Sequence, residues 1–319
     1  MNNDFFQIIV ALAVLLMGAL IGGRLAMLCR IPRVTGYLLA GLVVGPSFTN
    51  IFGLPHLVTH FALGELRIIS DVALALILMN IGGQLRTENL RRWKHRIYLF
   101  SAGEAITTGL LVGLAVFCVN QFVLQTLVAP LSLLQTSTLF AVFTGIIGIA
   151  TAPAATLMVI REYEADGPVT NALLTLVGLN NLISAVTFAI ACQLLISTDG
   201  SMTSLAYQLS LPLLLGCALG FLAPVWAQRL ELSSEHKILL LGSVTMAVAV
   251  SRAIELQPLL TCMALGMVLA NSSPRWHRLV KSLSEIDYPL YVVFFVLAGA
   301  TLHIETLSHI GLLGVAYVL

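Results

Sequence analysis

Charged residues are scarce in this sequence. Asp, Glu, Lys and Arg make up 10% of the 319 residues, whereas hydrophobic residues make up 58% and the mean hydropathy is +0.97. Soluble domains contain about 25% charged residues, so the composition excludes a soluble globular protein and predicts an integral membrane protein. A net charge of +1 gives no reason to expect a nucleic-acid partner.

Cysteine patterns that hold metals or disulfides are also absent. The cysteines lie in or at the edges of apolar segments with no CxxC spacing, which fits small hydrophobic side chains: Cys29, Cys118, Cys192, Cys217 and Cys262. No Gly-rich nucleotide loop is present either. We therefore predict no enzyme, no cofactor and no resident metal.

Apolar segments joined by short polar loops account for most of the chain. About 20 apolar residues are enough for a helix to cross a bilayer, so we predict a membrane helix for each segment. The first has no basic region before it and no small-residue cleavage site after it, and is therefore predicted to be a membrane helix and not a removable signal. The eleven segments cover approximately 5–28, 34–51, 66–84, 97–122, 138–160, 168–197, 203–226, 237–254, 258–271, 286–304 and 307 onward.

The basic residues fall almost entirely on one set of alternate loops. This set holds 14 of the 16 Lys and Arg residues, and the opposite set holds only Arg67 and Arg252. Because basic loops face the cytoplasm, we predict that the N-terminus lies outside and the basic loops inside.

The fifth segment is interrupted by residues that disfavour a continuous helix. Gly148 and Pro153 lie in its middle, with Thr151 and Thr156 beside them. Pro removes a backbone donor, and a bilayer accepts open backbone only where protein or a watery cavity covers it. We predict a discontinuous helix broken at Gly148 and Pro153, with both threonines as candidates for satisfying freed backbone groups and contacting an ion.

Asn180 and Asn181 lie near the centre of the sixth segment. Ser184 and Thr187 follow four and seven residues after Asn180, so a polar stripe runs along one side of the predicted helix. Together with the broken fifth helix, this stripe predicts a substrate site in a membrane transporter. A simpler alternative is that the asparagines join helices by hydrogen bonds, each contributing about 0.6 kcal/mol.

A weak internal repeat links the two ends of the chain. Residues 32–47 resemble 258–272, and residues 80–85, which follow the first copy, resemble 297–302, which follow the second. The copies are seven helices apart, and an odd offset gives them opposite membrane topology. Inverted repeats are typical of secondary transporters.

Five motifs occur in a characteristic order: RIPRVTGYLLAGLVVGPS, LALILMNIGGQL, TAPAATLMVIREY, LNNLISAVTFA and YVVFFVLAGATLHIE. In this order the sequence resembles the cation:proton antiporter-2 family of sodium/proton exchangers. The resemblance implies an all-α polytopic membrane protein with the sodium/proton antiporter fold, inverted repeats and a discontinuous helix 5. It also implies thirteen helices, about eleven of which lie in this sequence, so the chain is expected to continue beyond Leu319.

The resemblance further implies an organisation of the whole chain, 1–319, as one membrane domain. A homodimer in the bacterial inner membrane is expected, with these parts: scaffold and dimer-contact helices 1–3 in 1–96, half of the transport core in 97–197 (helices 4–6), connector helix 7 in 198–236, scaffold helices 8–10 in 237–305, and the start of helix 11 in 306–319.

The resemblance implies exchange of a monovalent cation, Na⁺ or K⁺, for protons by alternating access. The family's acidic pair aligns with Asn180 and Asn181, which are amides and carry no proton to exchange. One alternative moves the titrating group to Glu104, the carboxylate well inside the fourth segment. Another is a transport-silent or uncoupled homologue acting as a sensor, passive cation path or assembly subunit.

Two further charged residues receive simpler interpretations from the sequence. Arg161 is interpreted as a base in a cytoplasmic loop. Asp287 is interpreted as the charge that opens the tenth segment, opposite the positive end of its helix dipole.

Overall fold

The protein is all-α in the part of the chain that is described. The computed structural model describes residues 2–53, 58–128, 130–196, 202–230, 232–273 and 276–304. In these ranges the helices are α1 Asn2–Leu28, α2 Arg33–Val44, α3 Pro46–Phe52, α4 His60–Gln84, α5 Thr87–Val119 with a π-helical turn at Asn120–Leu124, α6 Leu133–Ile149, α7 Pro153–Glu162, α8 Pro168–Leu195, α9 Met202–Ala227, α10 Ser233–Ala253, α11 Pro258–Ser272 and α12 Trp276–Ala300.

Ten of the eleven predicted segments correspond to these helices, and the eleventh, 307 onward, lies outside the described residues. Within the described part, five helical stretches are long and apolar enough to cross a membrane: Asp4–Leu28, His95–Leu124, Leu133–Glu162, Pro168–Leu195 and Leu205–Ala227. The bent pair α2–α3 forms a possible sixth, and α11 and Asp287–Ala300 of α12 are shorter apolar helices.

The second predicted segment is bent, which the sequence analysis did not anticipate. α2 and α3 meet at an angle of 52°. Gly45 between them is extended, with φ −66° and ψ 156°, and Pro46 is the first residue of α3. The ring of a proline disfavours helical geometry in the residue before it, which accounts for the bend at this point.

The helices pack in two groups. α4, α11 and α12 form the centre of the larger group, with α1, α2, α9 and α10 around them. The smaller group is formed by α5, α6 and α8, which contact one another. α7 and α8 join the groups, because α7 contacts α2 and α4, and α8 contacts α4 and α9.

Two helix crossings in the larger group are built in the same way. Where α2 crosses α12, a Cβ on Gly41 would overlap the Val296 carbonyl, and a Cβ on Gly299 would overlap the Leu38 carbonyl. In each helix the glycine follows the residue with the facing carbonyl by three positions.

The crossing of α4 and α11 repeats this pattern. A Cβ on Gly82 would overlap the Met263 carbonyl, and a Cβ on Gly266 would overlap the Met79 carbonyl, again three positions apart in each helix. The sequence repeat pairs α2 with α11 and α12 with α4. Under this pairing, the crossing of α2 with α12 corresponds to the crossing of α11 with α4. The inverted repeat is therefore visible in the packing.

Candidate functional site

The membrane span Leu133–Glu162 is interrupted in its middle. α6 ends at Ile149, and α7 begins at Pro153. The backbone of Ala150 is extended, and its N–H donates to the Ile147 carbonyl, three residues back, so that the Ile146 carbonyl loses its usual partner. Pro153 occupies the first helical position of α7, where no backbone donor is required. The predicted discontinuous helix is confirmed.

The position of the break differs slightly from the prediction. Gly148 is helical and lies in the last turn of α6, where a Cβ would come within 3.2 Å of Val112 in α5. The interruption comes after it, at residues 150–152. Gly148 therefore belongs to the close contact between α5 and α6, and Pro153 borders the break.

Side chains of α8 satisfy the carbonyl groups that the break leaves free. Ser184 Oγ donates to the Ile146 carbonyl at 2.9 Å. Asn181 Nδ2 donates to both the carbonyl and the Oγ1 of Thr151, each at 3.0 Å, and to the Val177 carbonyl at 2.8 Å. These hydrogen bonds allow open backbone inside a membrane span. Without them, each unpaired carbonyl would destabilise the fold by roughly several kcal/mol.

The hydrogen bonds also fix the orientation of the Asn181 amide. Two of its partners, the carbonyls of Thr151 and Val177, can only accept, so the nitrogen must face them. An ionised carboxylate at this position would have no hydrogen to offer either carbonyl. The amide at 181 thus has a structural task at the break that an ionised aspartate could not perform.

Asn180 contacts a residue that the sequence analysis missed. Its Oδ1 accepts a hydrogen bond from Ser101 Oγ of α5 at 2.6 Å, and both residues are 1% exposed. Ser101 lies one helical turn before Glu104 on the same face of α5. A serine one turn from Glu104, the carboxylate that the sequence places well inside the fourth segment, was the signal that could have identified it.

The remaining predicted site residues lie on α5, α7 and α8. Glu104 is half-buried, and no hydrogen bond or ion pair joins it to another residue in the described ranges. Thr156 is also half-buried and donates to the Ala152 carbonyl at 3.0 Å, so it closes the first turn of its own helix. Thr187 likewise donates to its own helix, to the carbonyls of Ile183 and Ser184.

A second polar cluster lies at the other end of α7. Arg161 Nη2 contacts Asp287 Oδ2 at 2.9 Å, and Asn80 Nδ2 donates to Asp287 Oδ2 at 3.2 Å and to Tyr291 Oη at 2.9 Å. The Arg161 guanidinium also lies 5.1 Å from the centre of the Tyr291 ring. We call these four residues the Arg161 cluster.

The cluster corrects both interpretations made from the sequence. Asp287 is an interior residue of α12, which begins at Trp276, and its side chain is fully buried. Arg161 is helical, in the last turn of α7, and is not part of a loop. The predicted start of the tenth segment was wrong because α12 has an amphipathic first part that an apolar-run criterion does not detect.

We call the open backbone at residues 150–152 and the α8 side chains of Asn181 and Ser184 that contact this region the α6–α8 junction. The junction contains oxygen atoms that can act as ligands. They belong to hydroxyl, amide and carbonyl groups, which suit hard cations such as alkali ions. No group of three or more His, Cys, Asp or Glu side chains that could hold a metal ion occurs among the described residues.

The fold is similar to that of a solved antiporter. A structure described as the sodium proton antiporter MjNhaP1 from Methanocaldococcus jannaschii at pH 8 matches with a TM-score of 0.68 and 17% identity, covering 98% of this chain and 75% of that one. A second structure of the same antiporter, from an electron microscopy map, gives a TM-score of 0.71 and 17% identity, with coverages of 97% and 74%. The sodium/proton antiporter fold is confirmed. No curated protein sequence matches the chain.

The sequence profile described as sodium/hydrogen exchanger, transmembrane, matches residues 10–319. This range includes the broken span, the amide-bearing helix α8 and the Arg161 cluster. The chain is therefore an integral membrane protein that belongs to the sodium/hydrogen exchanger family, as its resemblance to cation:proton antiporters predicted.

Proposed function

We propose that this protein exchanges a monovalent cation, Na⁺ or K⁺, for protons by alternating access. Membership of the sodium/hydrogen exchanger family supports cation/proton exchange in general. The observation that carries the proposal for a specific site is the break in the α6–α7 span, held by Asn181 through the carbonyl and hydroxyl of Thr151. The cation binds at this junction.

Oxygen atoms of the junction supply the coordination. Thr151 Oγ1 accepts one hydrogen bond from Asn181 and keeps a second lone pair, and Asn181 Oδ1 is directed away from the carbonyls that its nitrogen contacts. Asn180 holds α8 against α5 through its hydrogen bond with Ser101. Thr156 acts indirectly, by closing the first turn of α7.

Glu104 supplies the proton that the amides cannot carry. A carboxyl group inside a span loses its proton to water on the open side of the membrane when a cation arrives, and takes one back when the cation leaves. Glu104 is one helical turn from Ser101, which bonds Asn180, and no ion pair holds it in the described part of the chain. These two facts favour it over the other carboxylates for this role.

The two groups of helices fit a moving and a fixed part. Most of α5 and all of α6 and α8 fall within 97–197, the part assigned to the transport core, and the larger group contains α1, α2, α4 and α9–α12, which covers the scaffold and the connector. We propose that the first group moves against the second. We also propose that the larger group supplies the contact of a homodimer in the bacterial inner membrane.

Reconstitution into proteoliposomes tests the exchange. A step of external Na⁺ or K⁺ is expected to change the lumenal pH of vesicles containing the purified protein, as reported by a pH-sensitive dye. Glu104→Gln should abolish this change, whereas the control Glu65→Gln, at an exposed position in α4, should not. Full exchange by Glu104→Gln would exclude Glu104 as the proton carrier.

A transport-silent homologue is the second candidate function. It is favoured by one observation, which is that Asn180 and Asn181 are both engaged in hydrogen bonds to the protein. In this case the parent protein produces no pH change with either cation. Exchange restored by Asn181→Asp would then identify a silent descendant of an active antiporter.

A further inference from the structure

The end of α7 is tied to the larger helix group by two consecutive residues of opposite charge. Arg161 forms the ion pair with Asp287 of α12. The same carboxylate accepts a hydrogen bond from Asn80 of α4, so Asp287 links Arg161 to both helices. Glu162 accepts a hydrogen bond from the backbone N–H of Arg33 at 2.9 Å, with the Arg33 side chain 3.6 Å away. The second half of the broken span is thus fixed to three helices of the larger group.

Glu162 supplies the hydrogen-bond acceptor that the N-terminus of α2 lacks. The residue before α2 is Pro32, which provides no side-chain hydrogen bond to the first turn. A carboxylate at a helix N-terminus satisfies a free N–H and is favoured by the helix dipole. The α2 terminus is therefore capped by a residue from α7, more than 100 positions later in the chain.

The Arg161 cluster stabilises the contact between α7 and α12, but not all of its buried polar atoms have hydrogen-bond partners among the described residues. Asp287 is completely buried, and a buried carboxylate without its cation is costly, so Arg161 is held in place. Three buried polar atoms of the cluster nevertheless have no partner among the described residues: Asn80 Oδ1, Asp287 Oδ1 and Arg161 Nη1. Water reaching the cluster could bond all three, which lowers the cost of separating α7 from α12.

We propose that Arg161 and Asp287 are positioning residues for cation exchange, whose ion pair closes the cytoplasmic side of the pathway. The proposal rests on the proposed function, in which the group of α5, α6 and α8 moves against the larger group. In this conformation the pair holds the end of α7 against α4 and α12. The pair opens when that end moves away and exposes the junction to the side of the basic loops.

Asp287→Asn is the variant that tests the pair. The amide keeps the shape of the side chain and removes its charge, and Arg161, which is 23% exposed, can then turn to water. Asp71→Asn is the matched control, since Asp71 also pairs with an arginine, Arg252, but joins α4 to α10 within the larger group.

The expected result is a change of apparent cation affinity with opposite sign on the two sides of the membrane. Weakening the closed state enlarges the fraction open to the cytoplasm, so KM on the cytoplasmic side should fall about threefold or more while KM on the outer side rises. Inverted and right-side-out vesicles measure the two sides separately. A merely structural loss would lower exchange on both sides without this opposite shift, and that outcome would overturn the proposal.

Hydrogen exchange measured by mass spectrometry gives a second readout that does not depend on transport. Amide hydrogens of 153–162 should exchange faster in Asp287→Asn than in the parent protein and in Asp71→Asn. If Asp287→Asn does not fold, the double variant Arg161→Gln with Asp287→Asn, neutral at both positions, takes its place in both measurements. Unchanged exchange of 153–162 would overturn the proposal.

The two proposals fail in different ways. If the parent protein exchanges cations for protons but KM and amide exchange are unaltered in the variant, only the positioning role is wrong. If the parent protein produces no pH change with either cation, the proposed function is wrong, and the protection of 153–162 alone decides whether the pair holds α7.

Discussion

At the scale of single residues, the identity of an amide decides what the candidate site can do. Asn181 donates to the carbonyls of Thr151 and Val177, which an ionised carboxylate cannot do. An aspartate at 181 would put negative charge against two carbonyl oxygens. A cation between them, or a proton on the aspartate, would relieve that repulsion.

Asn181→Asp should therefore make the stability of the protein depend on sodium. Without Na⁺, the loss of the donor is expected to cost about 1–3 kcal/mol, lowering the melting temperature measured in detergent. Adding Na⁺ should restore part of this loss and raise the melting temperature more than it does in the parent protein, which the cation stabilises less.

A buried asparagine away from the junction provides the control. Asn120 is fully buried and also donates to a backbone carbonyl, that of Thr126. Asn120→Asp should lower the melting temperature without any recovery in Na⁺. Equal recovery of both variants would mean that the junction has no preference for the cation.

Ser101→Ala should destabilise the contact between α5 and α8. The substitution removes the hydrogen bond to Asn180 Oδ1 and leaves a buried acceptor without a partner, which is expected to cost about 1–3 kcal/mol in thermal unfolding. Ser243→Ala is the comparison, because within the described residues Ser243 bonds only to a carbonyl of its own helix α10. A smaller loss for Ser101→Ala than for Ser243→Ala would contradict this account.

At the scale of secondary-structure elements, proline alone does not interrupt a helix in this protein. Pro212 and Pro224 lie inside α9 without ending it. Pro153 borders a break because Ser184 and Asn181 of α8 accommodate the freed carbonyls of α6 and the linker. The break is thus a property of the pair α6–α8 and not of one segment.

Helix crossings at glycine make a second prediction at this scale. Gly82→Ala should destabilise the protein by about 1–3 kcal/mol or more, because the new Cβ would overlap the Met263 carbonyl and force α4 and α11 apart. Gly242→Ala in α10 should be neutral or stabilising, since no atom lies within 4 Å of a Cβ there. Thermal unfolding of both variants measures the difference, and similar stability would contradict the close crossing.

At the scale of the whole molecule, the charge distribution and the packing describe different properties. Basic residues on alternate loops orient the chain in the membrane, but they do not determine which helices touch. The packing separates α5, α6 and α8 from the remaining helices and links the groups through α7 and α8. The proposed movement between the groups would therefore change the contacts that α7 and α8 make with the larger group.

The proposed orientation can be measured by labelling substituted cysteines in a background without the native five. His60 and Glu88 are exposed and lie at the starts of α4 and α5. A cysteine at His60 should react with a membrane-impermeant maleimide in intact cells, and one at Glu88 only in inverted vesicles. The reverse pattern would place the N-terminus inside.

Much of the fold could be predicted from the sequence, but less of the site. The break near Pro153 and the internal repeat both leave local signals, in helix-breaking residues and in glycine spacing. The partner of Asn180 could not be predicted, because Ser101 is 79 residues away and serine is common in apolar helices. Asp287 was misplaced because the amphipathic start of α12 resembles a polar loop.

The sequence by itself determined that the chain lies in a membrane, approximately where most of the described helices lie, and that the span containing Pro153 is interrupted. These properties follow from runs of neighbouring residues, since transfer into lipid and helix formation depend on local composition. Only the tertiary structure decided that α8 pairs with the open backbone, and that Arg161 meets Asp287 across 126 residues. Contacts between buried polar groups depend on which helices come together, and this depends on the packing of the entire chain.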